Sequence, residues 1–476
     1  MSTELRDFLA LSYSELETRN LAAKELRKKR TPEAQVREEW LKYLTNEHRI
    51  KAVTILFSDL EGRFHMLDYD KKFLLQSYDN LTFDGSSIRG FTSQRESDLR
   101  LMPDWNSFYW APADIFGSGK VLLFADVLAR DGSPYEGDIR GLLKKFARES
   151  FESNGYILNA ANEIEGFIFK GLDAERRYHE TGKFEYASIG GYYHSLPGDP
   201  LREFIDTVAE VQRAMGFENE KDHPEVAPSQ FEINYSYGEV VAAADQIQLY
   251  KLICRQVATK LGLTASFLPK PVVGVNGNGM HTNVSISKNG KNLFWDAKGE
   301  ERMSELAWKF TDRVLTHAND ICLMFNASVN AYRRLDPHFE APNQIKASAV
   351  DRGSMIRIPF GNEKSARVEV RSVAPDANPY MVMLAVFQTG ISGHISTEKN
   401  LRQAKNYLPD NIYDAMTNFR KAEWTTKLLG EDVKGRYADL KQASADRCPR
   451  LLGSFVKAQE VQYHHEVYNQ YLWGLF

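Results

Sequence analysis

The sequence predicts an α+β protein: a helical arm, a small β-rich domain, and a large domain in which strands and helices alternate. Three observations carry that reading. At 476 residues with 43% hydrophobic content, the chain can bury a sizeable core and is too long for one ordinary domain. Its apolar pattern switches from helical spacing to short β-like runs at Lys51. Beyond about residue 135, strands alternate with long helices and no internal repeat is visible. The 7 Trp, 22 Tyr and 27 Phe exclude a disordered or low-complexity chain.

Residues 1–34 are dominated by Glu, Leu, Ala, Lys and Arg, all good helix formers apart from their charge, and end in Lys28, Lys29 and Arg30. That basic run reads as a solvated helix end. Thr31-Pro32 reads as an N-cap followed by proline at the first position of a new helix. AVTILFSDLEGRFHML, from Ala52, reads as strand, turn, strand, and Val121 to Val127 (VLLFADV) as a further strand. Asp138 to Asn154 has its apolar residues at helical spacing, and the last ~70 residues are mostly helical by periodicity. The expected divisions are 1–34, 35–134 and 135–476.

Lys and Arg number 60 against 64 Asp and Glu, a net charge of −4, so no diffuse basic field is available for a nucleic-acid backbone. No nucleic-acid partner is expected. Cys254, Cys322 and Cys448 are odd in number and far apart, which argues against a disulfide framework or a cysteine zinc site and for cytosolic thiols. The longest apolar stretch, Tyr380 to Phe387, is less than half of a bilayer span, and the start MSTELRDF lacks the cationic and apolar regions of a signal peptide. A soluble cytoplasmic protein with no membrane partner is expected.

The chemistry lies where charges interrupt apolar patterns. In NEIEGFIFK (162–170), period-two alternation puts Glu163, Glu165, Phe167 and Phe169 on one strand face and Ile164 and Ile168 on the other. Two carboxylates beside buried phenylalanines repel each other and lose hydration, so they need a cation or a proton. HPEVAPSQFEI (223–233) adds Glu225 and Glu232, with Pro228 supplying a turn between them. VNGNGMHTNVSIS (275–287) is a glycine-rich loop entering a strand that places His281, Asn283 and Ser285 on one face. ARVEVRSV (366–373) does the same for Arg367, Glu369 and Arg371.

Five glutamates and one histidine make a hard, oxygen-rich set suited to Mg²⁺ or Mn²⁺. Such ions commonly bridge phosphates, and Arg333, Arg334, Arg352 and Arg357 match the charge and geometry of a polyphosphate. No Walker-type lysine loop is present. The residues alone therefore point to metal-dependent phosphoryl transfer with the substrate open.

With those residues in place, the chain resembles the glutamine synthetase family of the bacterial and archaeal kind, from about residue 35 to at least 400. Eleven segments occur in the family's order: FDGSSIRGF (83–91), SDLRLMPD (97–104), NEIEGFIF (162–169), GGYYHSLPGD (190–199), HPEVAPSQFEI (223–233), FLPKP (267–271), NGNGMH (276–281), NAYRRLDPHFEAP (330–342), DRGSMIRIP (351–359), RVEVR (367–371) and DANPY (376–380).

The resemblance implies a β-grasp domain, then a catalytic α/β domain with a curved antiparallel sheet, in a homododecamer whose active sites lie between subunits. It implies one ion on Glu165, Glu225 and Glu232 and a second on Glu163, His281 and Glu369. Glutamate would meet Asn276, Gly277, Arg334 and Arg371. ATP would meet Arg352, Arg357 and Arg367, with Tyr237 near adenine and Ser285 and Lys364 nearby. Ammonium would enter a pocket of Asp84, Asp98, Tyr192 and Glu225, with Asp84 taking its proton, and Glu340 would close over the site.

The implied reaction is glutamate plus ammonium plus ATP giving glutamine through γ-glutamyl phosphate. A γ-glutamyl-amine ligase, using methylamine, a polyamine or another amine, is the nearest rival, and a catalytically silent assembly protein the third reading. Several positions depart from the family pattern: Asn283, Asp351, Gly353, Pro224 and Ala327. The family's adenylylation-loop motif is not recognisable, Tyr407 in KNYLPD being its candidate, and the 1–34 arm has no counterpart in the resemblance.

Overall fold

The computed structural model describes residues 7–93, 97–335, 341–397, 401–403 and 406–452. Ser12 begins the first helix, α1 (Tyr13–Lys28), through a capping box: its hydroxyl accepts from Glu15 N, and the Glu15 carboxylate accepts from the Ser12 backbone. The next helix, α2 (Glu33–Asn46), starts one residue later than the sequence predicts. Pro32 has extended backbone (φ −54°, ψ 132°) and is itself the N-cap, so Thr31 lies outside the helix.

The predicted strand–turn–strand is β1 (Ala52–Ser58) and β2 (Phe64–Asp70), antiparallel with Ser58 opposite Phe64. After α3 (Lys71–Ser77) come β3 (Leu81–Asp84), β4 (Asp98–Trp110), α4 (Ala113–Phe116) and β5 (Lys120–Leu128). The strands form one sheet, order β2-β1-β5-β4-β3, in which only β1 and β5 run parallel. This is a β-grasp arrangement, and α1 and α2 lie against β4. Trp40 stacks 4.9 Å from Phe108.

Helix α5 (Ile139–Asn154) ends at Gly155 in the left-handed conformation, a position that suits a residue without Cβ. It is followed by β6 (Ile157–Lys170), α6 (Ala174–Thr181), α7 (Pro200–Ala214), β7 (Asn219–Pro224), β8 (Gln230–Tyr235), β9 (Gly238–Glu239) and α8 (Val240–Lys260). Next come β10 (Leu263–Ser266), β11 (Met280–Lys288), β12 (Lys291–Asn292), α9 (Glu305–Thr316), α10 (Ala318–Phe325) and α11 (Val329–Arg334). The chain continues through β13 (Gln344–Ser348), β14 (Ser354–Arg357), β15 (Val368–Val370) and α12 (Pro379–Ser392). Helices α13 (Ile412–Lys421), α14 (Glu423–Leu429) and α15 (Glu431–Leu452) close the described chain, as the late helical periodicity predicts.

The second sheet has the order β13-β14-β15-β11-β6-β8-β7, with β9 and β10 paired to β6 and β12 to β11. Within it only β13 and β14 are parallel. Its back is covered by helices, and the run Tyr380 to Phe387 forms the buried middle of α12. A helix apolar all round belongs in a core, and no helix among the described residues is long and apolar enough to cross a membrane. Cys254 and Cys322 are buried free thiols, and the side chain of Cys448 lies outside the described residues.

Buried polar groups join the two sheets' domains. Arg140 on α5 is 2% exposed and reaches Asp104 on β4 at 2.8 Å and Asp245 on α8 at 2.9 Å. Lys441 on α15 pairs with buried Glu61 at 2.8 Å. Asn378 donates to the Asp59 and Leu60 carbonyls (3.3 and 3.2 Å). Beside it, a Cβ at Gly62 would come within 2.6 Å of Asn378 Cα. Buried charges such as these are tolerable because each is paired.

Candidate active site

Strand register assembles the acidic residues. On β6, Glu163 lies opposite His281 of β11, and Glu165 lies opposite Glu232 of β8. On the neighbouring ladders Glu232 faces His223 of β7, and Asn283 of β11 faces Glu369 of β15. The period-two reading of NEIEGFIFK holds: Ile164 and Ile168 are fully buried in the main core, and Phe167 and Phe169 in a smaller cluster with Ala174 and Ala227. On β15 Glu369 is buried, 1% exposed, while Arg367 and Arg371 on either side of it are half-buried.

Two trios of metal-type donors result, Glu163–His281–Glu369 and His223–Glu225–Glu232, each with its donor atoms within 4.8 Å of one another. His281 Nδ1 is 3.5 Å from Glu163 Oε2 and 3.9 Å from Glu369 Oε1. His223 Nδ1 is 3.6 Å from Glu225 Oε1, and its Nε2 is 3.5 Å from Glu232 Oε1. His223 is the residue sequence reasoning missed. It sits two positions before Glu225, and that proximity was the available signal. Glu165 stands beside the second trio, accepting from Gly279 N at 2.7 Å.

Carboxylates crowd the site, and burial and mutual repulsion set much of its electrostatics. Burial, then the charges of Glu165 and Glu232, pushes Glu225 up to about 7, and Glu165 is raised by burial as well. For Glu163 burial opposes ionisation, but the His281 imidazole outweighs it and holds the carboxyl at about 2. Burial lowers both histidines, and their carboxylate neighbours raise them by more. Glu369 Oε1 and His223 Nε2 are buried without a hydrogen-bond partner among the described residues. Hard oxygen and imidazole donors left unsatisfied in this way fit a divalent cation.

Arginines line the same cavity as the two trios. Arg357 donates to Glu369 at 2.8 Å, and Arg371 Nη1 lies 3.7 Å from it. Arg334, 6% exposed, donates to the Arg371 carbonyl at 2.9 Å, and its Nη1 has no hydrogen-bond partner among the described residues. Burial holds Arg334 down at about 10. The NGNG turn comes close to this guanidinium: a Cβ at Gly279 would lie 2.7 Å from both Arg334 Nη2 and His281 Nε2, which only glycine avoids.

A cavity of about 680 Å³ collects Glu163, Glu165, Glu225, Glu232, His281, Glu369, Tyr192, Asn276, Gly277, Arg334, Arg352, Arg357, Arg367 and Arg371. A second, of about 700 Å³, is lined by Tyr237, Ser285 and Lys364 among others. The two meet at Glu163 and Arg367, which line both. Asn283, one of the departures from the family pattern, bridges them: it accepts from Arg367 Nε at 2.9 Å and donates to Glu163 at 3.4 Å. Pro224 has a role too, its carbonyl facing His223 Nδ1 at 3.0 Å.

Asp84 and Asp98 are elsewhere. They are register partners at one end of the β-grasp sheet, exposed, and neither lines the cavity that holds Tyr192 and Glu225. Asp84 accepts from Ser86 N at 2.9 Å and from both serine hydroxyls of the turn. Tyr192 stacks on Tyr193 at 3.8 Å, and both rings stand edge-on to His223. Glu340 lies outside the described residues, while Ala341 and Pro342 beside it line the cavity. Tyr407 is exposed and pairs through its backbone with Gln344.

Residues 49–130 match the family model for the glutamine synthetase β-grasp domain, and residues 136–453 that for the glutamine synthetase catalytic domain. The chain is 36% identical over 441 residues to a glutamine synthetase of Staphylococcus aureus, covering 87% of this chain and 96% of that one. It is 34% identical over 424 residues to a glutamine synthetase of Clostridium saccharobutylicum (85% and 94%). Among solved structures, ligand-free GmaS, a γ-glutamylmethylamide synthetase, superposes with a TM-score of 0.76 at 25% identity (88% and 98%). A Plasmodium falciparum glutamine synthetase gives 0.76 at 20% identity (89% and 98%) and supports the fold.

Proposed function

The chain belongs to the glutamine synthetase family of ATP-binding, metal-binding ligases, and from that premise we propose that it joins glutamate to ammonium through γ-glutamyl phosphate. The observation that carries this reading is one cavity holding two carboxylate–histidine trios and five arginines, joined at Glu163 and Arg367 to a second cavity. Glu163, His281 and Glu369 would hold one divalent ion. Glu165, Glu225 and Glu232 would hold another, with His223 as a further donor. Bound Mg²⁺ or Mn²⁺ would neutralise charge building up on the transferring phosphoryl group.

The remaining roles belong to side chains. Arg334 and Arg371, with Asn276 and the Gly277 backbone, would bind the glutamate carboxylate and aim its γ-carboxylate at the phosphate. Arg352, Arg357 and Arg367 would clamp the phosphates, with Tyr237, Ser285 and Lys364 around the nucleoside. Phosphorylation turns the γ-carboxylate into an acyl phosphate, a strong electrophile. Glu340 would exclude water from it. Asp84 and Asp98 would come from a neighbouring copy in a homododecamer and complete an amine pocket with Tyr192 and Glu225. Asp84 would take the proton that frees ammonia as a nucleophile.

The likeness to GmaS favours one second reading, a γ-glutamyl-amine ligase acting on methylamine or a larger amine. Steady-state kinetics with ammonium, methylamine, ethylamine and a diamine separate the two. We expect kcat/KM to be highest for ammonium; a higher value for any alkylamine overturns the first reading in favour of the second.

A further inference from the structure

We infer that the N-terminal arm positions the outer wall of the nucleotide cavity, with Lys24 and Arg30 acting as positioning residues through Glu218 and Glu239. The inference rests on the proposal that this cavity takes ATP. It begins at Asn20, a polar residue 4% exposed in the middle of α1. Its amide donates to the carbonyls of Trp110 on β4 and Ala214 on α7, both at 2.8 Å, and accepts from Trp110 N at 3.0 Å. Three buried hydrogen bonds to two domains make α1 a fixed element rather than a solvated one. Gly216 permits the approach: it has φ 78°, and a Cβ there would lie 2.9 Å from Asn20 Cβ.

Lys24, one helical turn beyond Asn20 on the same face, donates to Glu218. Only 11% of the Lys24 side chain is exposed against 46% of Glu218, so the ammonium end of the pair is shielded and the carboxylate is at the surface. The Glu218 carbonyl accepts from Ser236 N at 2.8 Å, and the Ser236 hydroxyl donates to Glu220 at 3.0 Å. Glu220 and Tyr237 line the nucleotide cavity. Past the helix, Arg30 adopts φ 54°, left-handed for a residue with a side chain, and lies over the Phe151 ring at 3.7 Å. From there it reaches Glu239 at 3.3 Å. Glu239 pairs in register with Asn159 of β6, a third residue of the cavity wall.

The arm therefore holds both ends of the turn that carries Tyr237. That ring is 64% exposed, so core packing does not fix it and its place depends on the backbone at 236 and 239. Loosening the turn should weaken a contact to the base or ribose and leave the acidic and arginine walls intact.

The test is binding of ATP and of a non-hydrolysable ATP analogue, with Mg²⁺, to the full chain by titration calorimetry, alongside steady-state kinetics. For Lys24→Met/Arg30→Met we expect the nucleotide Kd and KM to rise about threefold to tenfold, with kcat and the glutamate KM within about twofold. Glu218→Gln/Glu239→Gln, which alters two surface carboxylates and no packing, should show the same split if the arm variant folds poorly. Lys24→Arg/Arg30→Lys should restore affinity. Unchanged nucleotide affinity in the first two variants, or a parallel change in glutamate KM and kcat, overturns the inference. Parent protein that binds neither nucleotide overturns the functional reading itself, and this inference with it.

Discussion

Glu163 and His281 face each other across the β6–β11 ladder, with His281 Nδ1 3.5 Å from Glu163 Oε2 and Asn283 bridging onward to Arg367. The ladder thus places Glu163, one member of the first donor trio, at the junction of the two cavities. We expect His281→Ala to remove one tight site from a Mn²⁺ titration and to lower kcat/KM by at least ~100-fold. Unchanged Mn²⁺ stoichiometry in the variant would contradict this placement of the ion.

The second trio makes a prediction about stability. Glu225 is pushed up to about 7 by burial and by the charges of Glu165 and Glu232, so without an ion these carboxylates oppose folding. Glu225→Gln relieves that repulsion while keeping the side chain's size. In metal-free buffer its Tm should exceed the parent's, and its rise on adding Mn²⁺ should be smaller, because an ion that binds only the native state stabilises by mass action. A lower metal-free Tm with the full Mn²⁺ response would contradict it.

Much of this was legible in the sequence because alternation in a strand reports a face, and the faces of β6, β11 and β15 converge. Glu163, Glu165, His281, Glu369 and Arg371 all reach one cavity. What alternation does not report is register between strands. That is why His223 went unnoticed, although it is the register partner of Glu232. The basic run at Lys28 to Arg30 is exposed, as its composition suggests; what the sequence does not show is that Lys28 and Arg30 lie near Glu218 and Glu239, some two hundred residues away. The burial of Glu369 depends on β14 and β11 flanking β15, which no local pattern encodes.

Asp138 gives the fold its own pH dependence. It is 3% exposed, accepts from Val127 N at 2.8 Å, and is pushed up to about 7 by burial and then by the Asp126 charge. The folded state therefore holds a proton that the unfolded state, with an Asp pKa of about 3.9, releases. For a group raised in this way, its contribution to stability falls as pH rises from about 4 through about 7 and is lost above that window. Asp138→Asn keeps an oxygen for Val127 N and does not titrate. Denaturant melts at pH 5 and pH 8 should show a smaller loss of stability for the variant than for the parent. Equal losses would show that Asp138 is ionised throughout.

Asp84 stands at the exposed end of the β3–β4 ladder and does not line the cavity that holds Glu225. If both serve one amine pocket, they must come from different copies, since a closed ring places the same two surfaces together at every interface. Asp84→Ala and Glu225→Gln are each expected to assemble with little activity. In an oligomer re-formed from equal amounts of the two, random neighbours give about one interface in four with both native residues, so activity should recover to about a quarter of the parent's. A pocket contained within one chain predicts no recovery, because every chain in the mixture carries one defect. Activity that stays at the level of the separate variants, in oligomers shown by native mass spectrometry to contain both chains, would therefore sink the shared site. Recovery near a quarter would locate Asp84 opposite its neighbour's Glu225.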